Sequence, residues 1–262
     1  DSEAPFFENS VEENTKGFCM ELWGNRIDIY SVILRTPGGE MTSVIDFRSG
    51  PDNMYGFLFD RTKIYTGIAL VEKRSGNELI FFRFENPTPG IWTIMVRPSQ
   101  QEDISGSGSF HLWLPITAFI GGGAAFLEPD PDVTLTEPAN AQNVITVSTY
   151  NGLTGSWFAE SGRGFTLDGR VKPDVAAPGV QVSTVLGPRT GSSMAAALSA
   201  GCVAQYMEWA VVDGYAPFGE SSTVKSQLIR GAVRADNITY PDERWGYGKL
   251  NISGAFERLA RT

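Results

Sequence analysis

Few residues in this chain have the means to do covalent chemistry. Ser192 and Ser193 follow Gly191 and open a run of small residues, Met194-Ala195-Ala196-Ala197-Leu198-Ser199-Ala200-Gly201. A serine at a helix start meets unpaired backbone N–H groups and the positive end of the helix dipole, both of which favour an anion. A nucleophilic serine needs that setting when an oxyanion develops beside it. The same residues also describe a buried helix with a serine N-cap. The only histidine, His111, lies in Ser109-Phe110-His111-Leu112-Trp113-Leu114. Alternation places Phe110, Leu112 and Leu114 on one face and His111 and Trp113 on the other. Without a carboxylate at close spacing, His111 reads as a strand residue and not as a general base. Asp168 and Asp174 could suggest a metal ligand or a catalytic acid, but their place in Asp168-Gly169-Arg170-Val171-Lys172-Pro173-Asp174 favours a structural ion pair or a turn. Cys19 and Cys202 read as two free buried thiols, which leaves the redox compartment open.

These residues need a scaffold, and the totals bound it. At 262 residues the chain can hold one large domain or two smaller ones. Its 29 glycines and 15 prolines favour turns and loops over helix bundles. A net charge of -9 argues against nucleic acid or an anionic membrane surface as partner. No apolar run reaches the length of a membrane span, and no signal peptide opens the chain. Asp1 is no natural start, so the sequence is expected to begin within a longer protein. Neither a cofactor nor a metal is implied.

The first half reads as strands. Residues 1–15 carry no period and read as an exposed lead-in. From Gly17, Phe18, Met20 and Leu22 alternate with Cys19, Glu21 and Trp23, and a second alternating run covers Ile27–Leu34. Further runs follow at Thr42–Phe47, Tyr55–Phe59, Gly67–Val71, Leu79–Phe84, Ile91–Val96 and Ser109–Leu114, separated by Gly, Pro, Asn and Ser turns. This spacing, with no helical period, predicts a β-sandwich or jelly roll. Asn86 to Trp92 reads as a bend that places Trp92 inside. Past Pro115 the character changes to α/β. Asn143–Thr149 and Gln181–Val185 read as buried parallel strands. Helices follow from about Ser193 to Val212, at Thr223–Gly231 and at Ile252–Leu259. The domains are therefore expected at residues 1–115 and 116–262, with the boundary near Leu114–Ala118.

The motifs of the second half resemble those of the subtilases, the subtilisin-like serine proteases. Gly191-Ser192-Ser193-Met194-Ala195-Ala196 is similar to their G-T-S-M-A nucleophile motif. Ser161 to Gly179 is similar to S-R-G-x-T-x-D-G-R-x-K-P-D-x-x-A-P-G. Pro138-Ala139-Asn140-Ala141 with Val144-Ile145-Thr146-Val147 resembles the family's P-A-x-A…V-I-T-V, and Gly246-Tyr247-Gly248-Lys249-Leu250-Asn251 the closing G-x-G-x-L-N. The four signatures stand in register and cover Ala118 to the C-terminus. With the β-rich first half, the narrower resemblance is to the clostridial Csp-type germination proteases, whose jelly-roll insert would correspond to that half. A spore-associated or secreted setting follows only from this narrower likeness.

The resemblance implies a serine endopeptidase with Ser193 as nucleophile and a protein or peptide as substrate. The family's D-[ST]-G and H-G-T-H motifs and its oxyanion asparagine are missing from this sequence. They are expected on an N-terminal segment of the same protein, which would act as a partner carrying the catalytic Asp and His. In that scheme Ser193 Oγ attacks the peptide carbonyl as the histidine takes its proton, and the Ser193 N–H supplies one oxyanion donor. Leu198 stands where many members have histidine and Ser192 where they have threonine. Gly152, Leu153 and Gly155 are candidates to line the substrate cleft, with a plain connecting loop as the other reading. Subtilases with incomplete triads serve as pseudoenzymes, so a non-catalytic binding or signalling protein is the competing function.

Overall fold

A computed structural model describes residues 6–13, 16–25, 28–99, 108–116, 119–120, 123–216 and 220–259. The chain divides into two compact units, Asp1–Pro129 and Asp130–Thr262.

Among the described residues the first unit has nine strands: β1 (Phe6–Val11), β2 (Gly17–Gly24), β3 (Tyr30–Arg35), β4 (Asp52–Gly56), β5 (Lys63–Ala69), β6 (Leu79–Glu85), β7 (Gly90–Pro98), β8 (Phe110–Trp113) and β9 (Ala124–Phe126). They form a four-stranded sheet, β3-β7-β1-β9, and a five-stranded sheet, β4-β5-β6-β2-β8. Every pairing in the two sheets is antiparallel. Period-two patterning drives the assembly, because alternate side chains leave opposite faces of a strand. Phe18, Met20 and Leu22 of β2 and Ile80, Phe82 and Phe84 of β6 are buried on one side of the larger sheet. Val32 and Leu34 of β3 and Trp92, Ile94 and Val96 of β7 come from the smaller sheet, and all of them share one core. Trp92 turns its indole N–H back to the Thr88 carbonyl at 2.9 Å, as a buried indole requires. Among the described residues the unit contains no α-helix, and Phe47–Ser49 forms a 3₁₀ turn.

Three expectations for this unit change. The lead-in contains β1, which lies between β7 and β9 and is thus an interior strand. Thr42–Phe47 is not a strand. Ile45 pairs singly with Val32, and Asp46 caps the 3₁₀ turn by accepting the Arg48 N–H at 2.8 Å. The unit also runs beyond residue 115, because β9 pairs with β1. Ile27, Ala118 and the turn at 105–107 lie outside the described residues.

The second unit holds β10 (Val147–Tyr150) and β11 (Val175–Pro178), paired in parallel from Val147↔Val175 to Tyr150↔Pro178. Gln181–Val185, expected as a strand, is instead one arm of a tight loop. Gln181 has a left-handed φ of 54°, and Val182 pairs only with Arg189 across the loop. Val185 is fully exposed at its tip. The partner of β10 is Val-Ala-Ala-Pro, a strand made by its neighbours and not by intrinsic propensity. Along its other side runs the segment 245–250, where Tyr247 N–H reaches Asp174 O at 2.9 Å and Leu250 N–H reaches Ala176 O at 2.8 Å.

Among the described residues the unit also has three α-helices: α1 (Ser192–Met207), α2 (Ser221–Gly231) and α3 (Ile252–Leu259). A π-helical turn, Glu208–Val212, continues α1. Tyr206, Ala210, Val224 and Leu228 form a second core, against which Leu250, Ile252 and Phe256 pack. Much of the small-residue run of α1 is not interior. Ala195 and Ser199 are buried, whereas Ala196, Ala197, Leu198 and Ala200 are exposed. No helix among the described residues is long and apolar enough to cross a membrane.

Candidate active site

β10 and β11 end side by side, and both chain segments that leave them carry candidate residues. In parallel pairs the carboxyl ends of the strands are the usual place for a ligand site. From β11 the chain passes through Gly179, the loop 181–190 and Gly191 into α1. The connection is held by a chain of backbone bonds. Gly179 N–H donates to Tyr150 O at 3.0 Å, and Gly191 N–H donates to Gly179 O at 2.9 Å. Gly191 is the N-cap and has φ 153°, a region where a Cβ is rarely tolerated. Ser193 is therefore placed two residues beyond a backbone group fixed to the end of β11.

Ser193 is exposed at the second position of α1. The first bond of the helix start runs from Met194 N–H to Gly191 O at 3.0 Å. The N–H groups of Ser192 and Ser193 come before any intrahelical acceptor and point out of the helix end. No side chain caps this terminus, so the serine N-cap reading does not hold. Among the described residues the Ser193 hydroxyl has no hydrogen-bond partner, neither a base nor an acid. Among the described residues its surroundings offer an anion two backbone donors and the helix dipole, and no base to take the serine proton.

Gly152, Leu153 and Gly155 lie in a closed turn after β10. Asn151 N–H donates to Ser156 O and Gly155 N–H to Asn151 O, both at 2.8 Å. The Asn151 side-chain oxygen accepts Leu153 N–H at 2.9 Å and Thr154 N–H at 3.2 Å. The turn presents Leu153 to solvent with 89% of its surface exposed. A Cβ on Gly152 would lie 3.0 Å from Pro178 Cβ, so the turn rests on the last residue of β11. Lys249 also reaches this turn. The sequence hinted at it only through its place in the Gly-Tyr-Gly-Lys-Leu-Asn segment.

The other titratable candidates are otherwise engaged. Asp174 is buried with Lys172 and Lys225 at 2.8 and 2.7 Å. Asp168 pairs with Arg170 at 2.7 Å. Hydrogen bonds from Arg170 and Thr166 hold its carboxyl below the usual range. These are the ion pairs and turn that the sequence suggested. His111 belongs to β8 of the first unit, its ring 6.5 Å from that of Trp113. Cys19 and Cys202 are free and partly buried, and burial pushes both thiols up, away from the reactive thiolate form.

The chain matches known proteins across both units. The Subtilase family profile matches residues 126–248. The structure of the Clostridium perfringens CspB protease superposes over 99% of this chain with a TM-score of 0.84 and 27% identity. This chain spans about half of that protein, 55% of its length. An uncharacterised protein of Aquifex aeolicus is 31% identical over 170 residues, which cover 53% of this chain and 68% of the relative. The patellamide maturation protease PatA gives a TM-score of 0.39 at 25% identity over 47% of this chain and 46% of its own. Over residues 126–248 the chain belongs to the subtilase family, and over nearly its whole length it resembles a Csp-type protease.

Proposed function

We propose that this chain is the nucleophile-bearing part of a subtilisin-type serine endopeptidase, with Ser193 as the nucleophile. The observation that carries this reading is the exposed, uncapped Ser193 at a helix N-terminus fixed to the end of β11. Its own N–H supplies one donor to the oxyanion, a contribution worth about 3 kcal/mol of barrier. The catalytic Asp and His and the second oxyanion donor come from an N-terminal segment of the same protein. The exposed small-residue face of α1 (Ala196, Ala197, Ala200) lets a neighbouring backbone approach closely and suits that segment. Gly152, Leu153 and Gly155 line the peptide-binding side of the site. The first unit, with two antiparallel sheets about one core, is the jelly-roll insert of a Csp-type protease, and a role in spore germination follows from that likeness.

Peptide hydrolysis by the full-length protein tests this reading. In a Ser193→Ala variant the rate should fall by at least about 10⁴-fold, as expected for loss of a nucleophile. A full-length protein that folds and hydrolyses no peptide would favour a non-catalytic binding protein.

A further inference from the structure

The side chain of Lys249 joins two elements that the candidate site depends on. Its backbone is pinned beside β11. Lys249 N–H donates to Val233 O and Val233 N–H donates to Lys249 O, both at 2.9 Å, and the next residue reaches Ala176 O. From this edge the side chain extends to two aromatic rings. Nζ lies 4.8 Å from the ring centre of Tyr150 and 4.9 Å from that of Trp245. Those two rings are 5.7 Å apart, and Trp157 meets Trp245 edge-on at 5.6 Å. The ammonium then donates to Gly155 O at 3.4 Å. No carboxylate pairs with Lys249 among the described residues, so the ring faces and this carbonyl are what hold the charge.

The contacts converge on the turn that follows β10. Tyr150 and Trp157 flank it and bridge to each other. Gly155 has φ 74°, and a Cβ there would stand 3.3 Å from Nζ, so a side chain at 155 would crowd the ammonium. Inside the turn, Asn151 fixes the backbone. From outside, the turn is also contacted by the Lys249 ammonium, whose backbone runs along the far side of β11.

We propose that Lys249 is a positioning residue. Held between Tyr150 and Trp245, it sets the 151–156 turn against β11, so that Leu153 packs on an apolar side chain of the bound peptide. The peptide-packing half of this assignment rests on the peptidase reading above; the clamp itself does not.

Lys249→Met keeps the aliphatic stem on the rings and removes the charge and the hydrogen bond. Lys249→Arg keeps a cation, and Lys249→Gln stands in should the Met variant fail to fold. Amide exchange is followed at Asn151 and Gly155, whose N–H groups close the turn. It should rise about three- to tenfold in the Met or Gln variant and return toward the parent rate in the Arg variant. In the full-length protein, KM for a peptide with apolar side chains should rise about three- to tenfold while kcat stays within about twofold. Unchanged exchange would overturn the clamp. Raised exchange with unchanged KM would overturn the presentation of Leu153 to the peptide. An unsubstituted full-length protein that hydrolyses nothing would overturn the peptidase reading and the packing role with it, and exchange would still decide the clamp.

Discussion

Lys225 Nζ lies 2.7 Å from Asp174 Oδ1, which ties α2 to the residue leading into β11. The other oxygen of that carboxylate accepts Lys172 Nζ at 2.8 Å and Thr146 N–H at 2.7 Å. Thr146 leads into β10, so one carboxylate fixes the amino ends of both parallel strands. Burial pulls the Lys172 ammonium below its usual range, against the opposing pull of Asp174.

Removing Asp174 leaves Lys172 charged and buried without its partner, whereas Lys225 is only a partly exposed second contact. Asp174→Ala should cost about 3–5 kcal/mol in urea unfolding, and Lys225→Met under about 1 kcal/mol. Equal costs for the two variants would contradict this division of roles.

Asn9 is buried in β1 with neither side-chain polar atom hydrogen-bonded. An unsatisfied buried amide is costly, and a β-branched apolar residue suits an interior strand. Asn9→Val should therefore stabilise the protein by about 1–2 kcal/mol. Denaturant unfolding at constant m-value measures this, and a loss of stability would show that Asn9 is satisfied in solution.

The same residue explains what could be read from the sequence. β2, β6 and β7 were legible because large apolar residues alternate cleanly with others, as in Phe18, Met20 and Leu22. β1 was not, because Phe7, Asn9 and Val11 share one face and the polar Asn9 takes its buried middle position, which breaks the apolar alternation that marks a strand. Gln181–Val185 failed for the opposite reason. Its β-branched residues satisfy strand propensity, but the backbone reverses at Gln181 and leaves Val185 in solvent. β11 is Val-Ala-Ala-Pro, and its pairing is decided by β10 and the 245–250 segment. At the candidate site, the place of Ser193 at a helix start was legible from Gly191 and the small-residue run. The contact of Lys249 with the turn after β10 was not, since it joins residues distant in sequence through ring faces, which leave no local pattern.

Glu78 is buried, with Oε2 accepting the Tyr30 N–H at 2.7 Å and Oε1 unpartnered. Burial, with the Asp46 charge adding to it, pushes its carboxyl from 4.5 up to about 7. A carboxyl raised in the folded state stabilises most below its unfolded value, and that stability is lost as pH rises through the folded value. Unfolding free energy should thus fall between pH 4.5 and about 7, by up to about 3 kcal/mol from this group. Glu78→Gln should flatten that slope. A slope that survives the substitution would assign it to other groups.

Residues 1–262 alone should hydrolyse no peptide. A serine hydroxyl is a weak nucleophile without an adjacent base, and Ser193 has none among the described residues. His111 lies in β8 beside Trp113. The check is a peptidase assay on the purified, monodisperse chain. Hydrolysis that disappears in Ser193→Ala would place a base beside Ser193 within this chain.

The most direct measurement is to treat the complete protein, N-terminal segment included, with a fluorophosphonate probe and to map the adduct by mass spectrometry. Phosphonylation at Ser193, lost in Ser193→Ala, is the result expected of an activated nucleophile at the start of α1. Labelling at another serine, or none on a protein whose N-terminal segment carries the catalytic Asp and His, would contradict it.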